Sequence, residues 1–358
     1  MNKIRVVVVD DSAVVRKVLS AILNSDAGIE VVGVASDPYL ARDKIKKLNP
    51  DVITLDVEMP RMNGVTFLRN LMRLRPMPVV MVSSLTKGGA EITLDAMEAG
   101  AVDFVTKPSL DLTNPLASYG EDLIEKVKIA AVARVRRYTR DVALPEVAPK
   151  YSADAVLLKK PARWSFKTSE KIIAIGASTG GTEAIKEILA EMPADAPAMV
   201  VTQHIPEAFS GPFAQRMNRI SAMTVLEAED GQRIVPGYAY IAPGSHHLLV
   251  QRDGARYVCR LHDGPAVNRH RPSVDVLFRS VAQNVGANAV GVILSGMGTD
   301  GALGLKELRD SGAPTLAQDE NTSVVWGMPG EAVKLGGVDH ILPLQHIGAE
   351  TLRLVKQL

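Results

Sequence analysis

Three short motifs in the second half of the chain carry residues that could together perform acyl transfer. Gly176-Ala177-Ser178-Thr179-Gly180 follows an apolar run at 171–175 and precedes a helical pattern at 182–190. A Gly-x-Ser-x-Gly turn between strand and helix leaves the serine hydroxyl accessible, because its neighbours are too small to cover it. The helix beyond offers free N–H groups and positive dipole potential to a developing oxyanion. A dinucleotide-binding turn needs Gly-x-Gly-x-x-Gly, and Ser178 stands where the second glycine would be. The next β-rich run, 198–203, ends in His204, and the run 289–294 leads into Ser295-Gly296-Met297-Gly298-Thr299-Asp300-Gly301. His204 could take the proton of Ser178, while Asp300 could hold the imidazole tautomer and stabilise its charged form. The backbone N–H of Met297, in a glycine-rich turn, is a candidate oxyanion donor. The chain order Ser, His, Asp differs from the Ser, acid, His order of lipase-type α/β-hydrolases. His246 and His247 at a strand start, and His262 and His270 in loops, have no helical zinc-ligand spacing, so no metal is expected in this half.

The first half carries a different set. Asp10-Asp11, Asp56, Ser83-Ser84 and Lys107-Pro108 each stand at the end of a β-rich run. Carboxylates gathered together repel one another unless a hard cation joins them, and oxygen ligands in this number suit Mg²⁺. Asp56, before the loop Glu58-Met59-Pro60-Arg61-Met62-Asn63-Gly64, is the best-placed nucleophile for a phosphoryl group. Asp10, Asp11 and Asp56 would hold the metal with the backbone carbonyl of Glu58, and Lys107 would offset phosphoryl charge.

Both sets need a scaffold that brings strand ends together. In the first half, strands at 4–9, 30–35, 51–55, 78–82 and 102–105 alternate with helical patterns, the first of which sets Val14, Val15, Val18, Leu19 and Ile22 on one face. Such alternation predicts a doubly wound parallel sheet of flavodoxin type, with every strand C-terminus on one edge. A basic helix at 121–138, bearing Lys126, Lys128, Arg134, Arg136 and Arg137, reads as a solvated face, with a docking surface for the second domain as the alternative. From 141 to 170 the period fades among Pro145, Pro149 and Pro161, as in a linker. A second α/β parallel-sheet domain follows, in which strands at 238–242, 247–252 and 256–261 predict an antiparallel insertion with a hairpin turn at Arg252-Asp253-Gly254. The expected boundaries are 1–125, 126–170 for a helical extension and linker, and 171–358.

Bulk composition limits the alternatives. The 358 residues carry 41 basic and 40 acidic side chains, a net charge of +1, which gives no electrostatic case for a nucleic-acid partner. A DNA-binding output would also need a basic recognition helix, and the second half shows none. No apolar run approaches the roughly 18–20 residues of a membrane span. The sole cysteine, Cys259, lies in an alternating strand pattern and reads as core, which fits a reducing, cytoplasmic setting. A monomer is the default.

Residues 1 to about 125 resemble a response-regulator receiver domain, and the motifs around Ser178, His204 and Asp300 closely resemble the chemotaxis protein-glutamate methylesterase (CheB) family. The resemblance spans nearly the whole chain. It implies transient phosphorylation of Asp56 by a histidine kinase, with Ser83 as the hydroxyl that follows the phosphoryl group and Phe104 at the aromatic switch position. It implies hydrolysis of glutamyl methyl esters, and deamidation of some glutamines, on a methyl-accepting chemoreceptor, with no cofactor for the esterase step. It also implies that the receiver acts as a lid that phosphorylation loosens.

Overall fold

The computed structural model describes residues 3–59, 62–84, 87–107, 116–135, 152–158 and 170–358. The chain divides into two compact units, Met1–Leu144 and Pro145–Leu358.

The first unit runs β1 (Ile4–Val9), α1 (Ala13–Asn24), β2 (Ile29–Ala35), α2 (Pro38–Leu48), β3 (Val52–Asp56), α3 (Gly64–Leu74), β4 (Val79–Ser83), α4 (Lys87–Glu98), β5 (Asp103–Thr106) and α5 (Leu116–Val132). Its five strands form one sheet in the order β2-β1-β3-β4-β5, every pair parallel. Val6–Val9 and Val79–Val82 are buried on both sides, as strands covered by helices on both faces must be. Side chains of Ser12, Asp37 and Asn63 cap α1, α2 and α3 by accepting N–H bonds.

Two expectations need correction here. Val14 is 58% exposed, because the buried stripe of α1 centres on Leu19 and Leu23 and Val14 falls beyond its edge. The basic residues after 121 are not simply solvated. Lys126 donates to the Phe104 carbonyl at 2.6 Å between Asp103 and Asp122, and Lys128 pairs with Asp26 at 2.6 Å. Arg136 and Arg137 lie outside the described residues, as does most of the expected linker.

The second unit begins with a 3₁₀ turn (Ala153–Ala155) and continues β6 (Ile172–Ala177), α6 (Gly181–Glu191), β7 (Ala198–Gln203), α7 (Glu207–Ile220), β8 (Thr224–Glu227), β9 (Tyr238–Ile241), β10 (His247–Asp253), β11 (Arg256–His262), α8 (Val274–Asn284), β12 (Ala289–Ile293), α9 (Ala302–Asp310), β13 (Thr315–Gln318), α10 (Met328–Lys334), β14 (His340–Leu342) and α11 (Leu344–Gln357). Seven strands form a parallel sheet in the order β14-β13-β12-β6-β7-β9-β8.

The antiparallel insertion is smaller than expected. Among the described strands only β10 and β11 pair antiparallel, while β9 joins the main sheet beside β7. Ala239 to Ala242 are buried throughout, which suits a parallel strand inside the sheet rather than a half-wet hairpin strand. The hairpin turn is Gly254-Ala255, since Asp253 pairs with Arg256 and Gly254 takes φ 59°. The short edge strands β8 and β14 carry no sequence signal strong enough to announce them. Cys259 is buried in β11, and burial pushes its thiol up to about 12. Arg279 of α8, 1% exposed, ties the 3₁₀ turn down through Asp154 at 2.7 Å and forms a two-point pair with Glu307. A buried guanidinium is tolerated because its charge is matched and its donors are used.

Candidate active site and phospho-acceptor site

Ser178 and His204 stand at the C-terminal ends of the adjacent strands β6 and β7, and Asp300 follows β12 on the other side of β6. Parallel pairing therefore delivers all three to one sheet edge. The Ser178 hydroxyl lies 3.1 Å from His204 Nδ1, and His204 Nε2 lies 2.8 Å from Asp300 Oδ2. A carboxylate only accepts, so Nε2 carries the ring proton and Nδ1 presents its lone pair to the serine.

Close packing fixes the turn. Gly180 takes φ 77°, where a Cβ would also meet Val324 at 2.6 Å. A Cβ on Gly296 would meet that of Ser178 at 2.8 Å, so the 295–297 backbone runs against the nucleophile. Among the described residues, the Met297 N–H has no protein acceptor. Gln203, a residue the sequence did not single out, donates from its amide to the Ser178 and His204 carbonyls at 2.9 and 3.2 Å, joining the two strand ends.

Asp300 is 1% exposed and sits in a cage at the N-terminus of α8. Oδ2 accepts from His204 and from the Val274 N–H at 2.7 Å. Oδ1 accepts from the Ser273 hydroxyl at 2.7 Å, the Asn268 amide at 2.8 Å and the Asp275 N–H at 3.2 Å. Burial alone raises this carboxyl, but the His204 hydrogen bond, the His204 and His270 imidazoles beside it and the Asn268 amide outweigh it and hold the group below the usual carboxylate range. Its neighbour Asp275 goes the other way, pushed above the usual carboxylate range by burial and by the Asp300 charge.

The cage was not legible from spacing. Ser273 before an apolar helix signals an N-cap, but nothing in it names Asp300 as the guest. The sequence places His247 only at a strand start. It is buried, its Nε2–H donates to the Pro265 carbonyl at 3.0 Å, and its Nδ1 accepts the Ser273 N–H at 3.1 Å. With Nδ1 accepting, the ring is a neutral bracket for the start of α8, and burial lowers its basicity.

In the first unit, Asp10, Asp11 and Asp56 bring carboxylate oxygens within 4.8 Å of one another. Lys107 Nζ lies 2.8 Å from Asp56 and 3.7 Å from Asp10. Burial, then the Asp10 charge, raise Asp56 to about 6 against the pull of Lys107, and Asp10 is also raised, chiefly by burial. The Glu58 N–H reaches Asp56 Oδ1 at 3.2 Å. Asp10 Oδ2 is buried without a hydrogen-bond partner. An anionic oxygen with no hydrogen-bond donor, only the more distant Lys107 charge, and facing two further carboxylates fits a divalent cation of Mg²⁺ type. The Ser83 hydroxyl is held by α4, donating toward the Gly89 carbonyl at 3.2 Å and accepting from Thr93 at 2.6 Å. Phe104 is turned inward at 4% exposure, with Lys126 Nζ 5.3 Å from its ring centre.

The first residue of α3 stands so close to the end of β3 that a Cβ on Gly64 would lie 2.0 Å from the Asp56 carbonyl oxygen. Gly64→Ala must displace the acceptor strand end or the loop. A loss of roughly 1–3 kcal/mol is expected, read as a lower unfolding temperature of the full chain, together with slower phosphorylation.

The family model for CheB methylesterase matches residues 173–351, and that for the response regulator receiver domain matches residues 6–114. The chain is 57% identical to the protein-glutamate methylesterase/protein-glutamine glutaminase of Hydrogenovibrio crunogenus, with both chains covered completely. It is 59% identical to protein-glutamate methylesterase/protein-glutamine glutaminase 2 of Xanthomonas oryzae pv. oryzae, covering 99% of this chain and 98% of that one. The crystal structure of the Thermotoga maritima CheB methylesterase catalytic domain matches with a TM-score of 0.51 and 35% identity, covering 53% of this chain and all of that one. Among the described residues, no helix is long and apolar enough to cross a membrane.

Proposed function

This chain belongs to the CheB methylesterase family, and we propose that it is a phosphorylation-activated serine hydrolase that demethylates glutamyl methyl esters, and deamidates some glutamines, on chemoreceptors. The observation that carries the reading is the hydrogen-bonded chain from Ser178 through His204 to Asp300. We assign the receiver to 1–125, the helical extension and linker to 126–170 and the catalytic domain to 171–358, in a monomer that works in the cytoplasm.

In this reading Ser178 Oγ attacks the ester carbonyl carbon while His204 Nδ1 takes its proton. The backbone N–H of Met297 donates to the oxyanion of the tetrahedral intermediate. The bond to the methoxy group then breaks, and His204 returns the proton so that methanol leaves. Water, deprotonated by His204, attacks the acyl-serine; the bond to Ser178 Oγ breaks, His204 returns the proton to that oxygen, and glutamate is released. With a glutamine side chain the same steps expel ammonia.

Control comes from the receiver. A histidine kinase of the chemotaxis pathway supplies the phosphoryl group to Asp56. Asp10, Asp11, Asp56 and the Glu58 carbonyl would hold Mg²⁺, whose positive charge offsets that of the arriving group. Lys107 adds a second positive contact, while Ser83 and Phe104 answer the modification by changing position.

The test is methanol release from membranes bearing methylated chemoreceptor, with and without Mg²⁺ and a small phosphodonor. The donor is expected to raise the rate of the natural chain, and Asp56→Asn to keep the unstimulated rate while losing the rise. Equal rates with and without donor would remove the regulatory assignment. No release in any condition would remove the substrate assignment.

A further inference from the structure

A four-residue turn beside the triad has no part in the mechanism above. Val267 and His270 exchange both backbone hydrogen bonds, at 3.0 and 2.8 Å. The two residues between them, Asn268 and Arg269, both take left-handed conformations, φ 50° and 71°. This is the backbone pattern of a type I′ turn, which glycine or asparagine usually fills, and arginine there is unfavourable. Unfavourable backbone persists where its surroundings over-determine it, and such places cluster at functional sites. The turn is well anchored, since Val267 is fully buried and packs with Ala153 and Val276.

The turn delivers two side chains to the triad. The Asn268 amide bridges Asp300 Oδ1 at 2.8 Å and Asp275 Oδ2 at 2.7 Å. The His270 ring lies flat on the ring of His204, with centroids 3.7 Å apart and planes 12° from parallel. These contacts act on different freedoms. Hydrogen bonds at Nδ1 and Nε2 lie in the plane of the His204 ring and fix its two ends, but they leave the ring free to swing about the line between them. A parallel ring in van der Waals contact blocks that swing on one side. Asn268 meanwhile holds Oδ1, so that Oδ2 stays directed at His204.

We propose that turn 267–270 is a positioning element of the hydrolase site, in which Asn268 orients the acid and His270 holds the base in the plane joining Ser178 to Asp300. The proposal deepens the serine-hydrolase reading and rests on it. His270 acts through His204 by shape, so a flat ring of another kind should substitute for it.

The experiment measures kcat and KM for methanol release from methylated receptor membranes by the full, phosphodonor-treated chain. The variants are His270→Ala, His270→Phe and Asn268→Ala, with Ser178→Ala as reference. A misplacement of about 1 Å can cost roughly 10²-fold in rate. His270→Ala is therefore expected to lower kcat by about 10- to 100-fold with KM changed less than about twofold, and Asn268→Ala to lower kcat in the same way. His270→Phe should recover to within about threefold of the natural rate, because it restores the stacked ring. The downfield proton resonance of the His204–Asp300 hydrogen bond should persist in His270→Phe and broaden in His270→Ala. A kcat within about twofold of natural in His270→Ala, a loss confined to KM, or a His270→Phe chain as slow as His270→Ala would each overturn the proposal. The reference separates the two levels. An inactive Ser178→Ala beside a fully active His270→Ala overturns the positioning role alone, whereas an active Ser178→Ala overturns the underlying reading as well.

Discussion

Asp300→Asn is expected to lower kcat for methanol release about 10⁴-fold while leaving KM nearly unchanged. The reason lies in the cage. Every group that faces this carboxylate donates a hydrogen: the His204 Nε2–H and Val274 N–H at Oδ2, and the Ser273 hydroxyl, Asn268 amide and Asp275 N–H at Oδ1. An asparagine brings one acceptor oxygen and an NH₂ group that only donates. If the NH₂ faces His204, the ring must accept at Nε2, its proton moves to Nδ1, and Nδ1 can no longer take the proton of Ser178. If the NH₂ faces the other way, it meets the Asn268 amide and the Asp275 N–H, and the helix start must shift. Either arrangement also removes the negative charge that stabilises the imidazolium formed during attack. Removing that charge should lower the titration of Asp275, which burial still holds above the usual carboxylate range, and titration of its carboxylate by carbon-detected NMR would register the change. A kcat loss of less than about tenfold would mean that Asp300 neither sets the tautomer nor bears on the charged ring.

Ser178→Ala is expected to lose at least about 10⁵-fold in turnover with little change in stability, within about 0.5 kcal/mol. The side chain contacts the machinery through its hydroxyl, 3.1 Å from His204. What Ser178 contributes to the fold is carried by its backbone. Its N–H donates to the Ser295 carbonyl at 3.0 Å, and its carbonyl accepts from the Gly181 N–H at 2.7 Å and the Gln203 amide at 2.9 Å. Alanine keeps all three and removes the nucleophile. Methanol release measures the loss, and calorimetry checks the fold. A serine-directed fluorophosphonate should add once to the natural chain, at Ser178, and not to the variant. Labelling of the variant at equal rate would locate the nucleophile elsewhere.

Much of the site stood in the sequence because its signals are local. A parallel strand announces itself by a buried apolar run, and whatever residue follows the run stands at the sheet edge. That rule alone gathers Asp10, Asp56 and Lys107 in one unit and Ser178 and His204 in the other. Asp300 was reachable by the same route, since it lies in the glycine-rich turn after β12. The misreading of 238–242 shows the limit of the rule. A short strand followed by a hairpin looks like part of that hairpin, and only the pairing of Met199 with Ala239 assigns it to the main sheet.

What the tertiary structure decided are the contacts between segments that share no period. Sequence alone determined which residue types meet at each edge: a serine, an imidazole and a carboxylate at one, carboxylates and an ammonium at the other. It could not say which imidazole nitrogen faces the serine, because that depends on the side from which Asp300 approaches. Nor could it say that the start of α8 and turn 267–270 enclose the acid, or that His270, set aside as a loop histidine, lies on the ring of His204. Those segments stand about 25–35 residues from Asp300 along the chain and have no hydrophobic alternation of their own to place them. They are held by side-chain hydrogen bonds and by the packing of Val267 under the 3₁₀ turn, interactions that exist only once the second unit has folded to bring the partners within reach.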